Sequence, residues 1–218
     1  RIECAVIGAG AIGLAIAREM ALRGHEVIIL EETEVIGSDT SSRNSEVVHA
    51  GIYYDAGSLK AKFCVEGRER LYAYCASHGI RHARCGKLIV AADAAQVGAL
   101  EKLKAKGEAN GVAGLKLIGG KEAMALEPNL KAAAALVSPD SGIMDSHRLM
   151  LAYQGDLEDK GGMVAFKSPV WGGRLDKGTK VLQVHGAEPM ELACDIVINS
   201  AGLGAQALSS SFEFVPPD

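Results

Sequence analysis

The sequence predicts an α/β chain organised around a parallel sheet, and three observations carry that prediction. Cys4-Ala5-Val6-Ile7 and Val27-Ile28-Ile29-Leu30 are short apolar runs of the kind that buried parallel strands show. The stretch between them reads as one helix, running through Leu14, Ala15, Ile16, Ala17 and Met20 to a stop at Arg23-Gly24. Gly8-Ala9-Gly10-Ala11-Ile12-Gly13 lies where the first strand passes into that helix, a G-x-G-x-x-G in the context that a dinucleotide-binding turn requires.

Each glycine of that turn meets a physical demand. Gly8 makes the turn, Gly10 lets backbone approach a pyrophosphate, and Gly13 lets the helix pack close to the sheet. Ala11 and Ile12 open the helix, whose free N–H groups and positive dipole end suit a diphosphate. Glu31, followed by Glu32, ends the second strand where an acidic side chain meets ribose hydroxyls. An acid there serves NAD or FAD alike and repels the 2′-phosphate of NADP.

Ser38 to Ser45 holds no apolar residue and includes Thr40, Ser41, Ser42, Arg43, Asn44 and Ser45. A solvated loop is the ordinary reading of such a run. Small hydroxyls with free backbone N–H groups can instead line phosphates and the polar edge of a ring. The serines lack a G-x-S-x-G context, so a hydrolase nucleophile is not expected among them.

The middle third carries no phosphate motif and reads as a separate, mixed α+β substrate-side subdomain. Before it, within 1–84, a helix spans 59–78, capped by Ser58 and closed by Gly79, with Leu59, Phe63, Leu71, Tyr74, Cys75 and His78 on an apolar face. A strand is expected over 86–91, a helix with an exposed Lys/Glu face over 94–110, and a strand over 115–118. A helical turn over 121–126 ends before Pro128, a strand follows over 133–137, and Ser138 to Gly142 turns the chain.

Ser146 then caps a helix over 147–160. A strand follows at Met163 to Phe166, and Pro169-Val170-Trp171 opens an extended segment. Val181 to His185 and Met190 to Leu192 read as a small hairpin, and Asp195 to Asn199 as a separate buried strand. Ser200-Ala201-Gly202-Leu203-Gly204 turns that strand into a last helix and offers a second set of backbone N–H groups. The expected division is therefore a cofactor-binding domain in two parts, 1–84 and 146–218, with the substrate-side subdomain, 85–145, between them.

Composition bounds the partners. Of 218 residues, 48% are hydrophobic, enough for a packed core, and the net charge of −4 implies no general attraction to nucleic acid or anionic lipid. No apolar run reaches the length of a membrane span. Five scattered cysteines without a C-x-x-C pair read as buried thiols in a reducing compartment, the cytoplasm in the simplest case. The chain opens on Arg1 without an initiator methionine, and Ser209 to Asp218 completes no element, so a longer natural chain is expected. His78 and His82 have the i,i+4 spacing of a zinc pair, but Gly79 breaks the helix and no third ligand is near, so no metal is expected.

Beyond the glycine turn, four segments are specific: Asn44 to Tyr54 with Gly57 to Ala61, Cys85 to Ala91, Glu127-Pro128-Asn129, and Ser138 to Gly142. With the other elements in this order, the whole chain resembles the D-amino-acid-oxidase-like family of FAD-dependent oxidoreductases. The resemblance implies a Rossmann-like FAD-binding domain interleaved with the substrate domain, FAD as cofactor, and a small 2-hydroxy acid of the L-2-hydroxyglutarate kind as substrate. By resemblance Gly8, Gly10 and Gly13 touch the pyrophosphate and Glu31 the adenosine ribose. Thr40 to Ser45 run toward the flavin ring, Val170 offers backbone to the adenine, Ala201 and Gly202 close the phosphate side, and His49, Ala50 and Gly51 lie beside the ring. The family pattern also includes a further third of chain that is absent from this sequence.

Oxidation of a 2-hydroxy acid removes a hydride from carbon and a proton from oxygen. His49 is the candidate base, because an imidazole titrates near neutral pH; the plainer reading is a structural histidine. Arg43 could offset phosphate or flavin charge, and Tyr53 and Tyr54 could border the substrate. Lys60, Arg81, Arg84 and Lys87 are the cations available to a dicarboxylate. The electron acceptor implied is oxygen, a quinone or another flavoprotein, and a quinone would bring the protein to a membrane surface. The competing readings are an amino-acid or amine oxidase and a truncated dinucleotide-binding fragment without catalysis.

Overall fold

The computed structural model describes residues 1–216; Pro217 and Asp218, the last of the Ser209 to Asp218 stretch read above, lie outside the described residues. The chain forms two compact units, Arg1–Asn44 with the chain from Ser146 onward, and Ser45–Asp145.

In chain order the elements are β1 (Ile2–Ile7), α1 (Ala11–Leu22), β2 (Val27–Leu30), β3 (Val47–Val48), α2 (Leu59–Ser77), β4 (His82–Ala83) and β5 (Lys87–Ala91). They continue with α3 (Val97–Ala109), β6 (Lys116–Gly119), α4 (Gly120–Leu126), β7 (Ala134–Ser138), β8 (Gly142–Met144) and α5 (Ser146–Glu158). The last are β9 (Met163–Ala165), β10 (Val170–Asp176), β11 (Thr179–His185), β12 (Pro189–Asn199) and α6 (Ala205–Ser210).

The first unit is built on a six-stranded sheet in the order β10-β11-β12-β1-β2-β9. β12, β1, β2 and β9 run parallel, and β10 and β11 add an antiparallel edge. β1 is central and buried on both faces. Cys4 and Val6 pack with Leu14 and Ala17 of α1 and Met150 and Leu157 of α5. Ala5 and Ile7 pack on the other face with Leu182, Val184 and Phe212. Each fully buried Leu or Ile stabilises by about 1.5–3 kcal/mol, which outweighs the cost of roughly 1 kcal/mol for Gly13 inside α1. Gly24, at φ +90°, lets the chain leave α1 in a left-handed turn. The C-terminal ends of β1, β2 and β12 share one edge, where an open α/β sheet binds its ligands.

The second unit has two small antiparallel sheets, β5-β7-β6 and β3-β8-β4. Helix α3 covers one face of the first, with Leu100, Leu115 and Leu136 in the core, and Ala123 of α4 packs on the other. Ser58 caps α2, its hydroxyl accepting the Ala61 N–H at 3.1 Å, and Gly79 at φ +64° ends it.

Several details differ from the sequence reading. The break between units lies after Asn44, where 84/85 was expected. Helix α2 belongs wholly to the second unit, because Arg68 and Tyr72 bond the carbonyls of Ala50 and Asp140. The buried residues of α2 are Ala61, Arg68, Tyr72 and Cys75, whereas Leu59 and Phe63 are exposed. The expected hairpin arm and buried strand are one element: β12 pairs antiparallel with β11 and parallel with β1. Helix α5 begins at Ser146, one residue earlier than expected. Cys4, Cys75 and Cys194 are buried thiols, Cys64 is half-buried and Cys85 is exposed. Strands β3, β4 and β8 were not anticipated.

Candidate active site

In the first unit three segments distant in sequence meet at the sheet's C-terminal edge. The opening turn is one. Gly8, at φ +96°, has no room for a Cβ, which would lie 2.7 Å from the Ser200 carbonyl oxygen. A Cβ on Gly13 would collide with the carbonyl oxygen of Gly8, so helix and strand approach only because that atom is absent. Gly10 differs: its Cβ would meet only the Ser41 hydroxyl, at 3.0 Å, and would otherwise fill open space above the turn. Gly10 gives α1 no side-chain cap, and the Ile12 and Gly13 N–H groups have no acceptor among the described residues.

The second segment is the polar run. Thr40–Ser42 form one 3-10 turn, and the Ser41 hydroxyl accepts the Ala11 N–H at 3.0 Å. Arg43 is exposed, its guanidinium donating to the Ser42 hydroxyl at 2.7 Å, and the Asn44 amide donates to the Ser41 carbonyl at 2.7 Å.

The third segment is the turn after β12. The Ser200 N–H donates to the Ile7 carbonyl at 2.9 Å, and Gly202, at φ +54°, lies beside the Thr40 hydroxyl. Asn199 holds this turn: its carbonyl oxygen accepts the Ala201 N–H at 3.2 Å, and its amide donates to the Ala205 carbonyl and the Ser209 hydroxyl. Ile12 and Leu203 present large apolar side chains to solvent beside this groove.

Glu31 is buried at the end of β2. One carboxylate oxygen accepts the Ala9 N–H at 2.7 Å; the other accepts the Thr33 N–H and hydroxyl at 3.0 and 2.7 Å. The acid thereby fixes the glycine turn against the strand end and keeps lone pairs for further donors. Glu32 points to solvent. Val170 opens β10, close in sequence to Ser168, whose N–H donates to the Glu31 carbonyl at 2.8 Å.

The remaining expected residues, Ser45, His49, Ala50 and Gly51, belong to the second unit. Ser45 is exposed. After β3 the chain is held by three successive carbonyls. The Cys64 thiol donates to His49 O at 3.2 Å, Arg68 to Ala50 O at 3.1 Å, and the Asn110 amide to Gly51 O at 3.0 Å and Tyr54 O at 2.8 Å. Ala50, Gly51 and Ile52 are buried, and the His49 ring stays accessible. Burial pushes the His49 imidazole below its ordinary 6.5, and the charges of Lys87 and Lys60 push it further the same way. It is therefore neutral at pH 7 and able to accept a proton.

Of the four expected cations, Arg84 is occupied: it pairs with Glu69 and Asp140 and lies over the Tyr72 ring. Sequence reasoning missed Cys64, Arg68, Asn110 and Asn199, all of which position backbone. Asn199 had a signal, a polar side chain closing an apolar strand; the other three had none. Among the described residues no group of three or more His, Cys, Asp or Glu is placed to hold a metal ion, and no helix is long and apolar enough to cross a membrane.

A groove of this kind, at the edge of a parallel sheet and walled by a glycine turn, defines a dinucleotide-binding fold. The chain belongs to the FAD dependent oxidoreductase family, which matches residues 3–217. FAD is the cofactor of that family, and the cradle fits it: Gly10 leaves open the space a side chain would fill, and unpartnered N–H groups face it. The chain is 44% identical over 237 residues to the mitochondrial L-2-hydroxyglutarate dehydrogenase of Arabidopsis thaliana, covering 96% of this chain and 49% of that one. It is 35% identical over 218 residues to the human enzyme of that name, covering 95% and 47%. The chain thus spans about half the length of the curated relatives it matches. Among solved structures, a dithionite-reduced L-α-glycerophosphate oxidase from Mycoplasma pneumoniae with FAD bound superposes with a TM-score of 0.91 at 23% identity, over 97% of this chain and 56% of that one.

Proposed function

We propose that the chain supplies the FAD-binding cradle and the catalytic histidine of a dehydrogenase or oxidase that converts an L-2-hydroxyglutarate-like 2-hydroxy acid to its 2-keto acid. The observation that carries the reading is His49: a neutral imidazole on a segment whose carbonyls are each held by a side chain. The names of the two relatives support the substrate class.

Gly8, Gly10, Ala11, Ile12 and Gly13 hold the pyrophosphate through backbone, with Ser41, Ala201, Gly202 and Leu203 closing over it. Glu31 accepts from the adenosine ribose, with Glu32 beside it, and Val170 offers backbone to the adenine. In the first unit Thr40, Ser42, Arg43 and Asn44 continue that lining; in the second, Ser45, His49, Ala50 and Gly51 are the residues that the family resemblance assigns to the flavin ring. FAD, when bound, supplies the two-electron chemistry that accepts the substrate hydride. His49 takes the hydroxyl proton on its imidazole nitrogen, and the rigid backbone beneath it fixes the angle at which it does so. Oxygen, a quinone or another flavoprotein then accepts the electrons. The free cysteines support a thiol-reducing location, cytoplasmic or mitochondrial as for the relatives, which cell fractionation tests.

The deciding experiment is anaerobic addition of L-2-hydroxyglutarate to the purified, flavin-loaded protein. Bleaching of the flavin absorbance by this acid and not by amino acids is expected. Bleaching by amino acids instead would assign an amino-acid oxidase, and a protein that takes up no FAD would leave a non-catalytic fragment.

A further inference from the structure

Lys60, in the first turn of α2, and Lys87, at the start of β5, are both within electrostatic reach of His49. Each lies over an aromatic ring of the same unit: the Lys60 ammonium is 4.7 Å from the Tyr54 ring centroid, and that of Lys87 is 5.2 Å from Tyr53. Lys104, Lys106, Lys116 and Lys167 each pair with a carboxylate. Among the described residues Lys60 and Lys87 pair with none, in a chain with 27 acidic side chains.

Two cations that share one imidazole repel each other and the protonated form of that imidazole. The tyrosine faces offset this repulsion only weakly at exposed positions. Among the described residues the charges that act on His49 are those of Lys87 and Lys60, with no acidic side chain beside them, so the local field there is positive. An anion bound there would relieve the repulsion. We propose that Lys60 and Lys87, seated on Tyr54 and Tyr53, form a carboxylate-binding subsite beside His49 that selects a dicarboxylate over a monocarboxylate substrate. This rests on the 2-hydroxy-acid reading and adds the residues that set its specificity. An ammonium is a point charge with three donors, and a two-lysine subsite accepts a flexible carboxylate without demanding one planar geometry. Arg84 has no such role, because Glu69 and Asp140 already engage it.

The test reads binding without turnover. Glutarate carries both carboxylates and no oxidisable hydroxyl; butyrate carries one. In the purified chain as isolated, the NMR signal of the His49 ring, assigned with His49→Asn, is followed against pH and ligand. Glutarate should bind saturably and raise the His49 titration midpoint, because it neutralises the two cations. The Lys60→Gln/Lys87→Gln double variant should start with a higher midpoint, nearer 6.5, and bind glutarate about tenfold more weakly or less. Each single variant should lie between, and they decide the matter where the double variant fails to fold. Wild-type protein should bind butyrate about tenfold more weakly than glutarate. Glutarate binding unchanged by both substitutions, or a wild-type ring that does not respond to glutarate, would overturn the subsite. Glutarate binding lost in the variants while L-2-hydroxyglutarate fails to bleach the flavin would uphold the subsite and sink the proposed reaction, so the two failures are separable.

Discussion

Arg68→Met tests whether the carbonyl clamp beneath His49 is a source of stability. The Arg68 guanidinium is buried, with 6% of its side chain exposed, and it donates to the Ala50 carbonyl at 3.1 Å. It also contacts Asp140, 19% exposed, at 3.3 Å, and Glu69, 54% exposed, at 2.8 Å. The Glu69 contact is solvent-screened and contributes close to nothing. The Ala50 bond is charge-assisted and worth about 1.5–3 kcal/mol, and its loss leaves a buried carbonyl without a donor. Asp140 loses one of two partners but keeps Arg84 at 3.4 Å, which limits that loss to about 1 kcal/mol. Methionine fills most of the aliphatic volume, so no large cavity term is added. The sum, about 3 kcal/mol, corresponds to a fall in Tm of roughly 6–12 °C for a chain of this size. Thermal unfolding followed by circular dichroism measures it, and amide exchange at Ala50 to Ile52 should quicken in the same variant. A Tm within 2 °C of wild type would mean that desolvation of the guanidinium cancels its bonds, and the clamp would then not be what holds this segment.

His49→Asn should slow anaerobic flavin reduction by at least about 100-fold in stopped-flow absorbance, with FAD retained; reduction at the wild-type rate would remove His49 as the base. Gly13→Ala should unfold or severely destabilise the first unit, because its Cβ meets the Gly8 backbone, whereas Gly10→Ala should melt near wild type yet bind FAD at least tenfold more weakly by fluorescence quenching. Stability should also fall in acid. The bond from Arg84, then that from Arg68, holds the Glu69 carboxyl below its ordinary 4.5. The contribution is therefore present above 4.5 and lost as pH falls through the lower folded value. Arg84→Gln should flatten that limb of a Tm-against-pH curve. His49 acts in the same direction nearer neutrality: its neutral folded form favours the native state above 6.5, and that share is lost as pH drops toward its lowered value.

What the sequence made legible follows from range. Strands β1 and β2, the glycine turn and α1 with its Gly24 stop are encoded within thirty residues, and local rules read them. The boundary after Asn44 was not legible, because what assigns α2 to the second unit is Arg68 reaching Ala50 and Tyr72 reaching Asp140, contacts across 18 and 68 residues. β3, β4 and β8 span two or three residues each, too short for alternation to register. β12 was divided because its first half follows the hairpin rule and its second the buried-strand rule. Only the sheet shows that one strand obeys both, pairing with β11 on one side and β1 on the other.

The same contrast runs through the site. Backbone sites are readable, because glycine is the residue that such geometry demands and its spacing survives in sequence: Gly8, Gly10 and Gly13 could be assigned separate jobs, and each has a distinct steric environment in the fold. His49 was readable as a type of side chain but not by its ionisation. Its ionisation is set first by burial and then by Lys87 and Lys60, one of them 38 residues away. The groups beneath the histidine are Cys64, which holds its carbonyl, and Arg68 and Asn110, which hold those of its neighbours. None of the three bears on chemistry by composition. Positioning is exerted here through peptide carbonyls, and a carbonyl leaves no mark in a sequence; a residue that acts on one is found only once the fold brings it there.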